Sequence, residues 1–334
     1  MMGLPELIVL DVGHGSSAIL RDTQGTLVID CGTGSTLIET LHYLHVKELH
    51  SIIISHADED HVGGLINLLA SQTIKVQNIF LNADSMRKTR IWTQLRQTLQ
   101  EARKRDNVKI HVGLTTLQTG TMGVGEITIE ILAPSPEIAM SGVGGEDLHG
   151  NRLDANTMSV VVGLIHHNHR VALLAGDIDG TGLRNILEEH KNLHADVLVF
   201  PHHGGRTGNI DGERFAQMLC SVVQPKFIIF SIDRNHLVNP REEIIRGIRS
   251  VMLDTRIACT QLSRRCAAQL PNTDYAHLNA LPARGKESNN CCGGTISFVL
   301  DGQNTGNIPF FTAHHAFVKG YIPTPLCLHS VVEE

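Results

Sequence analysis

The sequence lacks the features that would place it in a membrane, secreted or repeat class. No apolar run approaches the length of about 20 residues that a membrane-spanning helix needs. The first residues contain no basic segment of the kind that opens a secretory signal. No low-complexity tract and no repeat at solenoid period is visible. We therefore expect a soluble, cytoplasmic globular protein.

Cysteine is present without a pattern that would give it a structural role. The seven cysteines are an odd number scattered through a long chain, which does not need disulfides to build a core. Neither the adjacent pair Cys291 and Cys292 nor the pair Cys259 and Cys266 has zinc-knuckle spacing. We expect reduced thiols.

An excess of positive charge is also missing. The formal net charge is −6, which argues against a strong non-specific nucleic-acid binder, because such binding rests on phosphate neutralisation by many cations. Residues 85–105 nevertheless predict a long helix with an apolar stripe and a basic remainder. This basic face is either a local binding surface for the phosphate backbone of a nucleic acid or an ordinary solvated surface, and both interpretations stay open.

The remaining composition is that of an ordinary globular protein. Of 334 residues, 42% are hydrophobic and 19% are charged, which is enough apolar material for a sizeable core. Short apolar runs alternate with amphipathic helical patterns in two halves of the chain, which indicates an α/β protein with a four-layer αββα sandwich. We expect one domain over 1–334, with an irregular insertion over 262–294 and a C-terminal strand and tail over 295–334.

Histidine provides the strongest functional signal. There are 20 histidines, and the run His56-Ala57-Asp58-Glu59-Asp60-His61 directly follows a buried strand. Placing these carboxylates together would force one to take up a proton unless a cation neutralises them. On an extended segment alternate side chains point the same way, so His56, Asp58 and Asp60 can converge while His61 turns to a second position. The run therefore predicts a site for two metal ions.

Two later strands end in residues that could complete such a site. Gly176-Asp177 ends one apolar strand and offers a single carboxylate at the sheet edge. His202-His203-Gly204-Gly205 ends another strand in the same manner. Alone, each pattern is more typical of a turn or a surface residue, but their order after the first cluster favours a shared site.

With these motifs in place, the chain resembles the metallo-β-lactamase superfamily, and within it the soluble hydrolase domain of the competence protein ComEC and its stand-alone relatives. The matching segments run in family order over about residues 7–240 and are residues 11–15, 27–32, 55–64, 156–159, 174–177 and 195–205. The resemblance implies the αββα sandwich, a dinuclear centre of zinc or manganese, and hydrolysis of a phosphodiester, with DNA as one substrate.

The resemblance also implies roles for individual residues. His56 and Asp58 would hold one ion, Asp60 and His61 the other, and Asp177 would bridge the two. Asp60 would in addition take part in catalysis.

The histidine pair and one more aspartate extend this implied set. One of His202 and His203 should complete the second ion's site, and we favour His203 with His202 near the substrate, because adjacent side chains on an extended segment face opposite ways. Asp30 would accept a hydrogen bond from a ligand histidine.

The chain departs from the family pattern in several places. His14 stands where the family has glutamine, and Ser16 where it has a further carboxylate. The late family histidine is absent unless His236 serves instead. No isolated histidine clearly fills the middle ligand position of the classical lactamases. The candidates for that position are His149, Asp154 and Asn156.

Three functions follow as hypotheses. Two divalent ions would activate water and screen charge on a phosphoryl group, and His202 or His236 would protonate the leaving group. The substrate of this phosphodiesterase or nuclease would be DNA, RNA, a nucleotide or a small phosphodiester. Alternatives are hydrolysis of a carbon ester, thioester or lactone on the same centre, and a metal-binding, catalytically weak module within a larger complex. A protein partner or a homo-oligomer is left open.

Overall fold

The computed structural model describes residues 4–301 and 308–328. Residues 302–307 and 329–334 of the predicted C-terminal tail therefore lie outside the described residues.

Two β-sheets form the middle of the molecule. The first has seven strands in the order β13-β1-β2-β3-β4-β5-β6, and the second has six in the order β12-β11-β10-β9-β8-β7. The strands are β1 Glu6–Val9, β2 Ser17–Asp22, β3 Gly25–Cys31, β4 Glu48–Ile53, β5 Lys75–Leu81, β6 Lys109–Val112, β7 Thr128–Ala133, β8 Val161–His166, β9 His169–Leu174, β10 Val197–Val199, β11 Phe227–Phe230, β12 Arg256–Cys259 and β13 Ile296–Val299. Each sheet is mixed: β3 to β6 run parallel, as do β9 to β12, and the remaining pairs are antiparallel.

Helices cover the outer face of each sheet. They are α1 Thr36–Tyr43, α2 Glu59–Ser71, α3 Arg90–Asp106, α4 Pro136–Ser141, α5 Gly180–Glu189, α6 Gly212–Val223, α7 Glu242–Val251 and α8 Ile308–Tyr321. The first three pack on the seven-stranded sheet, whereas α5 to α8 share a core with the six-stranded sheet. This arrangement confirms the predicted four-layer αββα sandwich.

Alternation along the strands divides the core into layers. In β1, Leu7 and Val9 lie in the cluster between the sheets, whereas Ile8 and Leu10 lie in the cluster under α1 to α3. Successive strand side chains point to opposite faces, and here both faces are covered. For this reason the strands appear in the sequence as continuous apolar runs rather than as an alternation of polar and apolar residues.

Several predicted boundaries differ from those in the structure. The helix expected from residue 85 begins at Arg90, because Asp84 holds residues 84–87 in a turn and Thr89 caps the helix by accepting from the backbone N–H of Trp92. The sequence patterns predict neither β5, β6 and β12 nor α4, α6 and α8.

Residues 262–294 are irregular but well anchored. They contain no α-helix and no strand, only a short 3₁₀ turn at Arg284–Lys286. The buried guanidinium of Arg234 donates to the carbonyls of Leu262 and Ala267, and the carboxylate of Asp11 accepts from the backbone N–H of Gly285 at 2.8 Å. The segment is thereby fixed to the loop after β1.

No helix in the described ranges combines the length and the apolar character needed to cross a bilayer.

Candidate metal centre

The carboxyl ends of strands from both sheets meet at one edge of the sandwich. Asp30 lies near the end of β3, His56 follows β4, Asp177 follows β9 and His203 follows β10. Parallel strands present their carboxyl ends on the same side of a sheet, so residues distant in sequence come together there. Asp60 is added by the first turn of α2.

The first of two donor groups is compact. Asp60, His61, Asp177 and His203 each offer one ligand atom, and these atoms all lie within 4.8 Å of one another. The Nε2 atom of His61 is 3.2 Å from Oδ1 of Asp177. The Nε2 atom of His203 is 3.2 Å from Oδ2 of Asp60 and 3.9 Å from Oδ1 of Asp177. We call this set the four-ligand group.

A second group lies on the other side of Asp177. The Nε2 atom of His56 is 3.8 Å from Oδ2 of Asp177 and 3.9 Å from Oδ1 of Asp58. We call these three residues the His56–Asp58 group. Asp177 thus presents a different oxygen to each group.

The convergence has a different local cause from the one expected. Asp58 is the N-cap of α2, and Asp60 and His61 belong to the first helical turn instead of an extended segment. The turn, rather than strand alternation, sends Asp58 and Asp60 to different groups. The helix also starts three residues earlier than the sequence predicts, at Glu59.

Hydrogen bonds fix which imidazole nitrogen faces the site. The Nδ1 atom of His61 is 2.8 Å from Oδ2 of Asp30, and Nδ1 of His203 is 2.8 Å from the carbonyl oxygen of Ser231. Since both partners are acceptors, each Nδ1 carries the proton and donates it. The Nε2 atom of each ring therefore faces the carboxylates, which is the position of the ligand atom in a histidine oriented by a neighbouring acceptor.

Asp30 is itself held tightly. Its carboxylate accepts from the backbone N–H of Ser55 at 2.7 Å and from the Ser55 hydroxyl at 2.8 Å, in addition to His61. Its φ of 59° lies in the left-handed region, which is uncommon for a residue other than glycine. The environment over-determines this conformation, as often happens at functional sites.

The charges of the site are coupled through the histidines. Burial alone would lower the pKa of His61, but the carboxylates of Asp177 and Asp30 outweigh burial and raise this pKa well above its usual value. Burial likewise opposes ionisation of Asp177, yet the imidazoles of His61 and His203 hold its pKa well below the usual range. The pKa of His56 is lowered, mainly by burial and by the neighbouring His61. Without a bound ion Asp177 is therefore ionised, and the raised pKa of His61 favours a proton on that imidazole, which offsets the charge.

The donors fit divalent zinc or manganese. Three buried ligand atoms of the two groups have no hydrogen-bond partner among the described residues: Nε2 of His56, Nε2 of His61 and Oδ1 of Asp177. The last two are 3.2 Å apart, but no hydrogen bond of acceptable geometry joins them. Unpaired polar atoms at this depth are costly, and imidazole nitrogen with carboxylate oxygen is a donor set that both zinc and manganese accept.

Further imidazoles line the entrance. The Nε2 atom of His14 is 3.3 Å from Oδ2 of Asp60, and its ring stacks on His236 with centroids 3.7 Å apart. His236 is exposed. His14, which replaces the family glutamine, is thus brought to the site together with the late histidine.

The adjacent histidines His202 and His203 both lie in a left-handed turn. His202 and His203 have φ angles of 50° and 57° within the short 3₁₀ segment Pro201–Gly204, so the extended-segment reasoning used for them is wrong. His203 lies beside two carboxylates of the site, whereas His202 forms no ion pair with any described carboxylate.

The three candidates for a middle ligand make local contacts, and no described ion pair or hydrogen bond joins their side chains to the ligand atoms of either group. His149 is exposed, and its Nε2 atom is 2.6 Å from Oε1 of Glu188. Asp154 accepts from the backbone N–H and hydroxyl of Thr157. In the described part of the chain, no contact joins the Asn156 side chain to a carboxylate or imidazole of either group. Each follows its own local turn, which sequence order does not reveal.

The glycines at the start of α2 allow close packing of this helix. A Cβ atom on Gly64 would lie 2.3 Å from the carbonyl oxygen of Gly32, and one on Gly63 would lie 2.9 Å from the side chain of Thr33. These glycines let α2 pack closely on the end of β3, which sets the position of its first turn.

Sequence reasoning missed several residues that hold the site. Ser55 orients Asp30, Ser231 orients His203, and the guanidinium of Arg87 contacts the carboxylate of Asp58. The two serines directly follow β4 and β11 within two residues of the strand end, which is a signal available from the sequence. Arg87 lies in a turn that had been assigned to a helix, and no pattern indicates it.

Fold and site therefore define an αββα sandwich with a paired His and Asp donor set at one edge. A family model described as "Anti-Pycsar protein Apyc1" matches residues 12–137, a range that includes the His56–His61 run but ends before Asp177. Among solved structures, the metallo-β-lactamase fold protein YhfI from Bacillus subtilis aligns with a TM-score of 0.45 and 13% identity, covering 74% of this chain and 94% of that one.

Two curated relatives are competence proteins. "ComE operon protein 3" of Bacillus subtilis (strain 168) is 25% identical over 268 residues, which cover 72% of this chain and 30% of that protein. "Competence protein ComA" of Neisseria gonorrhoeae is 22% identical over 255 residues, covering 72% of this chain and 29% of that protein. These similarities confirm the resemblance to ComEC-related proteins. The chain spans less than a third of the length of either relative.

Proposed function

We propose that this chain is a metal-dependent hydrolase that binds two divalent ions, zinc or manganese, and cleaves a phosphodiester. The observation that carries the proposal is the division of the Asp177 carboxylate, whose Oδ1 atom faces the four-ligand group and whose Oδ2 atom faces the His56–Asp58 group. A site built for a single ion would not need a buried carboxylate aimed at two sets of donors.

When bound, the two ions would make water nucleophilic at neutral pH and offset negative charge on the reacting phosphoryl group. The chain's own residues would hold and orient the reactants. Asp30 and the Ser231 carbonyl keep the Nε2 lone pairs of His61 and His203 turned inward. Loss of either contact would misplace a ligand without removing it.

A proton donor for the leaving group is expected at the entrance. His236 is exposed and is stacked on His14, which itself contacts Asp60. His202 has no comparable link, since its Nδ1 atom is buried without a partner in the described ranges. We therefore favour His236 over His202 for general acid catalysis.

The charge around the entrance supports an anionic substrate. Arg87, His14 and His236 stand at the rim of a site whose centre is carboxylate-rich. A phosphodiester carries a negative charge that such cationic or proton-donating groups can contact, whereas a neutral carbon ester gains nothing from them.

A substrate screen with purified protein tests the proposal. We expect hydrolysis of bis-p-nitrophenyl phosphate with added zinc or manganese, little hydrolysis of p-nitrophenyl acetate, and two ions per chain by elemental analysis. Asp177→Asn should lower the phosphodiesterase rate by about 100-fold or more and reduce the metal content. Asp196→Asn is a matched control, because Asp196 is equally buried but pairs with His169 and Lys226 elsewhere.

Each contrary result has a distinct meaning. Turnover of the acetate in preference to the phosphodiester would replace the proposal with a carbon-ester hydrolase. Bound metal without turnover of either substrate would favour a catalytically weak binding module. Full metal content and rate in Asp177→Asn would remove the bridging role.

The basic face of α3 provides a test of whether the phosphodiester substrate is a nucleic acid or a small molecule. The exposed residue Arg96 lies on this face, away from both donor groups. If DNA or RNA is the substrate, Arg96→Ala should weaken its cleavage in a salt-dependent way and leave bis-p-nitrophenyl phosphate unaffected. An unchanged KM for nucleic acid at every salt concentration would assign α3 to the ordinary solvated surface.

A further inference from the structure

A positively charged side chain, that of Arg87, contacts the His56–Asp58 group. The guanidinium of Arg87 contacts Oδ1 of Asp58 through Nη2. This is the same oxygen that lies 3.9 Å from Nε2 of His56. An arginine therefore shares the carboxylate oxygen that one of the two ions would use.

The position of Arg87 is determined by a buried aspartate. Asp84, which is only 6% exposed, accepts from the backbone N–H of Met86 at 3.0 Å and from that of Arg87 at 2.9 Å. Its other oxygen accepts from Nε of Arg87 at 3.3 Å. Backbone and side chain are thus both held, and the guanidinium is aimed at Asp58 before α3 begins.

The four-ligand group has no such cation. In the described part of the chain, the ion pairs of Asp60 and Asp177 involve histidines alone, with no lysine or arginine. Imidazoles can give up a proton to make room for an ion, but arginine keeps its charge at any accessible pH. The two groups are therefore unequal before any ion binds.

We propose that Arg87 makes binding of the second ion dependent on an anion, so that a phosphoryl group and the ion at His56 and Asp58 bind cooperatively. The inference rests on the proposed two-ion function. The first ion enters the four-ligand group, and the second is opposed by the Arg87 charge. A phosphoryl oxyanion between guanidinium and ion would turn this repulsion into two attractions.

Such coupling is reciprocal. If the anion strengthens binding of the second ion by some factor, the ion strengthens binding of the anion by the same factor. The centre would then be fully assembled mainly when substrate is present. Arg87 acts as a positioning residue for the substrate in this scheme, and its effect is visible in binding without any turnover.

A manganese titration tests the inference directly. Free Mn²⁺ is followed by its electron paramagnetic resonance signal in metal-stripped protein, with and without inorganic phosphate, and a protein-free blank corrects for Mn²⁺ bound by phosphate. We compare the native chain with Arg87→Gln. The matched control is Lys88→Gln, which removes the same charge from the adjacent, exposed position.

For the native chain we expect one tight and one weak ion, with phosphate tightening the weak one by roughly tenfold or more. In Arg87→Gln the second ion should bind roughly tenfold more tightly without phosphate, and the phosphate effect should disappear. Lys88→Gln should behave like the native chain. Circular dichroism of each variant shows that the fold is kept.

Other results would overturn the inference. Equal second-ion affinity in the native chain and Arg87→Gln, or a phosphate effect that survives the substitution, removes the role of Arg87. If the native chain hydrolyses phosphodiesters in either of those cases, the proposed function stands and only this inference fails. If the coupling is found but no phosphodiester is cleaved, the inference stands and the proposed function fails.

Discussion

Replacing Asp30 by asparagine should separate the orientation of His61 from its presence. The substitution keeps the size of the side chain, and asparagine tolerates the left-handed φ of 59° at this position. The amide oxygen can still accept from the backbone N–H of Ser55. The amide nitrogen, however, cannot accept from Nδ1 of His61 or from the Ser55 hydroxyl, both of which are 2.8 Å from Oδ2 in the native chain.

Two magnitudes follow from these contacts. Each lost hydrogen bond to a buried carboxylate is worth about 1.5–3 kcal/mol, so the metal-free protein should lose roughly 2–4 kcal/mol of unfolding free energy once the hydroxyl finds another partner. Without its acceptor, His61 gains nothing from keeping the proton on Nδ1, and the alternative tautomer points a proton at the ion. Metal affinity should therefore fall by about 10- to 100-fold.

Urea unfolding of the stripped protein measures the first quantity, and zinc competition against a chromophoric chelator measures the second. Asp196→Asn serves as the control, because the buried Asp196 also loses charged partners, His169 at 2.9 Å and Lys226 at 2.8 Å, but lies outside the centre. It should lose stability and keep its zinc affinity. If Asp30→Asn is destabilised yet binds zinc as tightly as the native chain, Asp30 does not orient a ligand and our argument about the tautomer is refuted.

Two further predictions concern stability. Burial lowers the pKa of His314 from 6.5 to about 3. As the pH falls below 6.5, this histidine therefore takes up a proton in the unfolded chain before it does so in the folded one. The difference should lower the unfolding free energy by about 2 kcal/mol at about pH 5. In urea unfolding, His314→Gln should lose less unfolding free energy between about pH 7 and pH 5 than the native chain does, whereas His315→Gln, at an exposed position, should lose as much. Equal losses in both variants would show that His314 is not the source of this pH dependence. Gly64→Ala should lower stability by roughly 1–3 kcal/mol, because its Cβ would lie 2.3 Å from the Gly32 carbonyl. Thermal unfolding tests it against Gly320→Ala, which meets nothing within 4 Å, and an equal Tm for the two variants would show that close packing at Gly64 is not required.

The layered fold was predictable because its strands are buried on both faces. Continuous runs such as those of β1, β3 and β11 are distinct in the sequence. Among the missed strands, β6 is an edge strand with exposed residues along most of its length, so hydrophobic patterning is weak there. Helix α6 carries Phe215, Leu219 and Val223 at i, i+4 spacing, and this signal could have been found.

The site residues that closely follow a strand could be predicted from the sequence. Asp177 and His203 follow β9 and β10 closely, and a strand end is visible in a sequence. Turn geometry was not predictable: neither the left-handed conformation of His202 and His203 nor the local turn in which Asp84 holds Arg87 leaves a hydrophobic pattern in the sequence. The three open candidates for a middle ligand show the same limit, because spacing along the chain does not say where an irregular loop returns to the sheet.

The anchoring of residues 262–294 on Asp11 has a consequence for biosynthesis. Asp11 accepts from Gln261 and Gly285, more than 200 positions later in the chain, and β1 lies between β2 and β13. The loop that carries His14 therefore cannot settle while the ribosome is still making the first half of the protein. The entrance is completed only when the last strand has emerged, so the nascent chain passes through most of its synthesis without a finished centre.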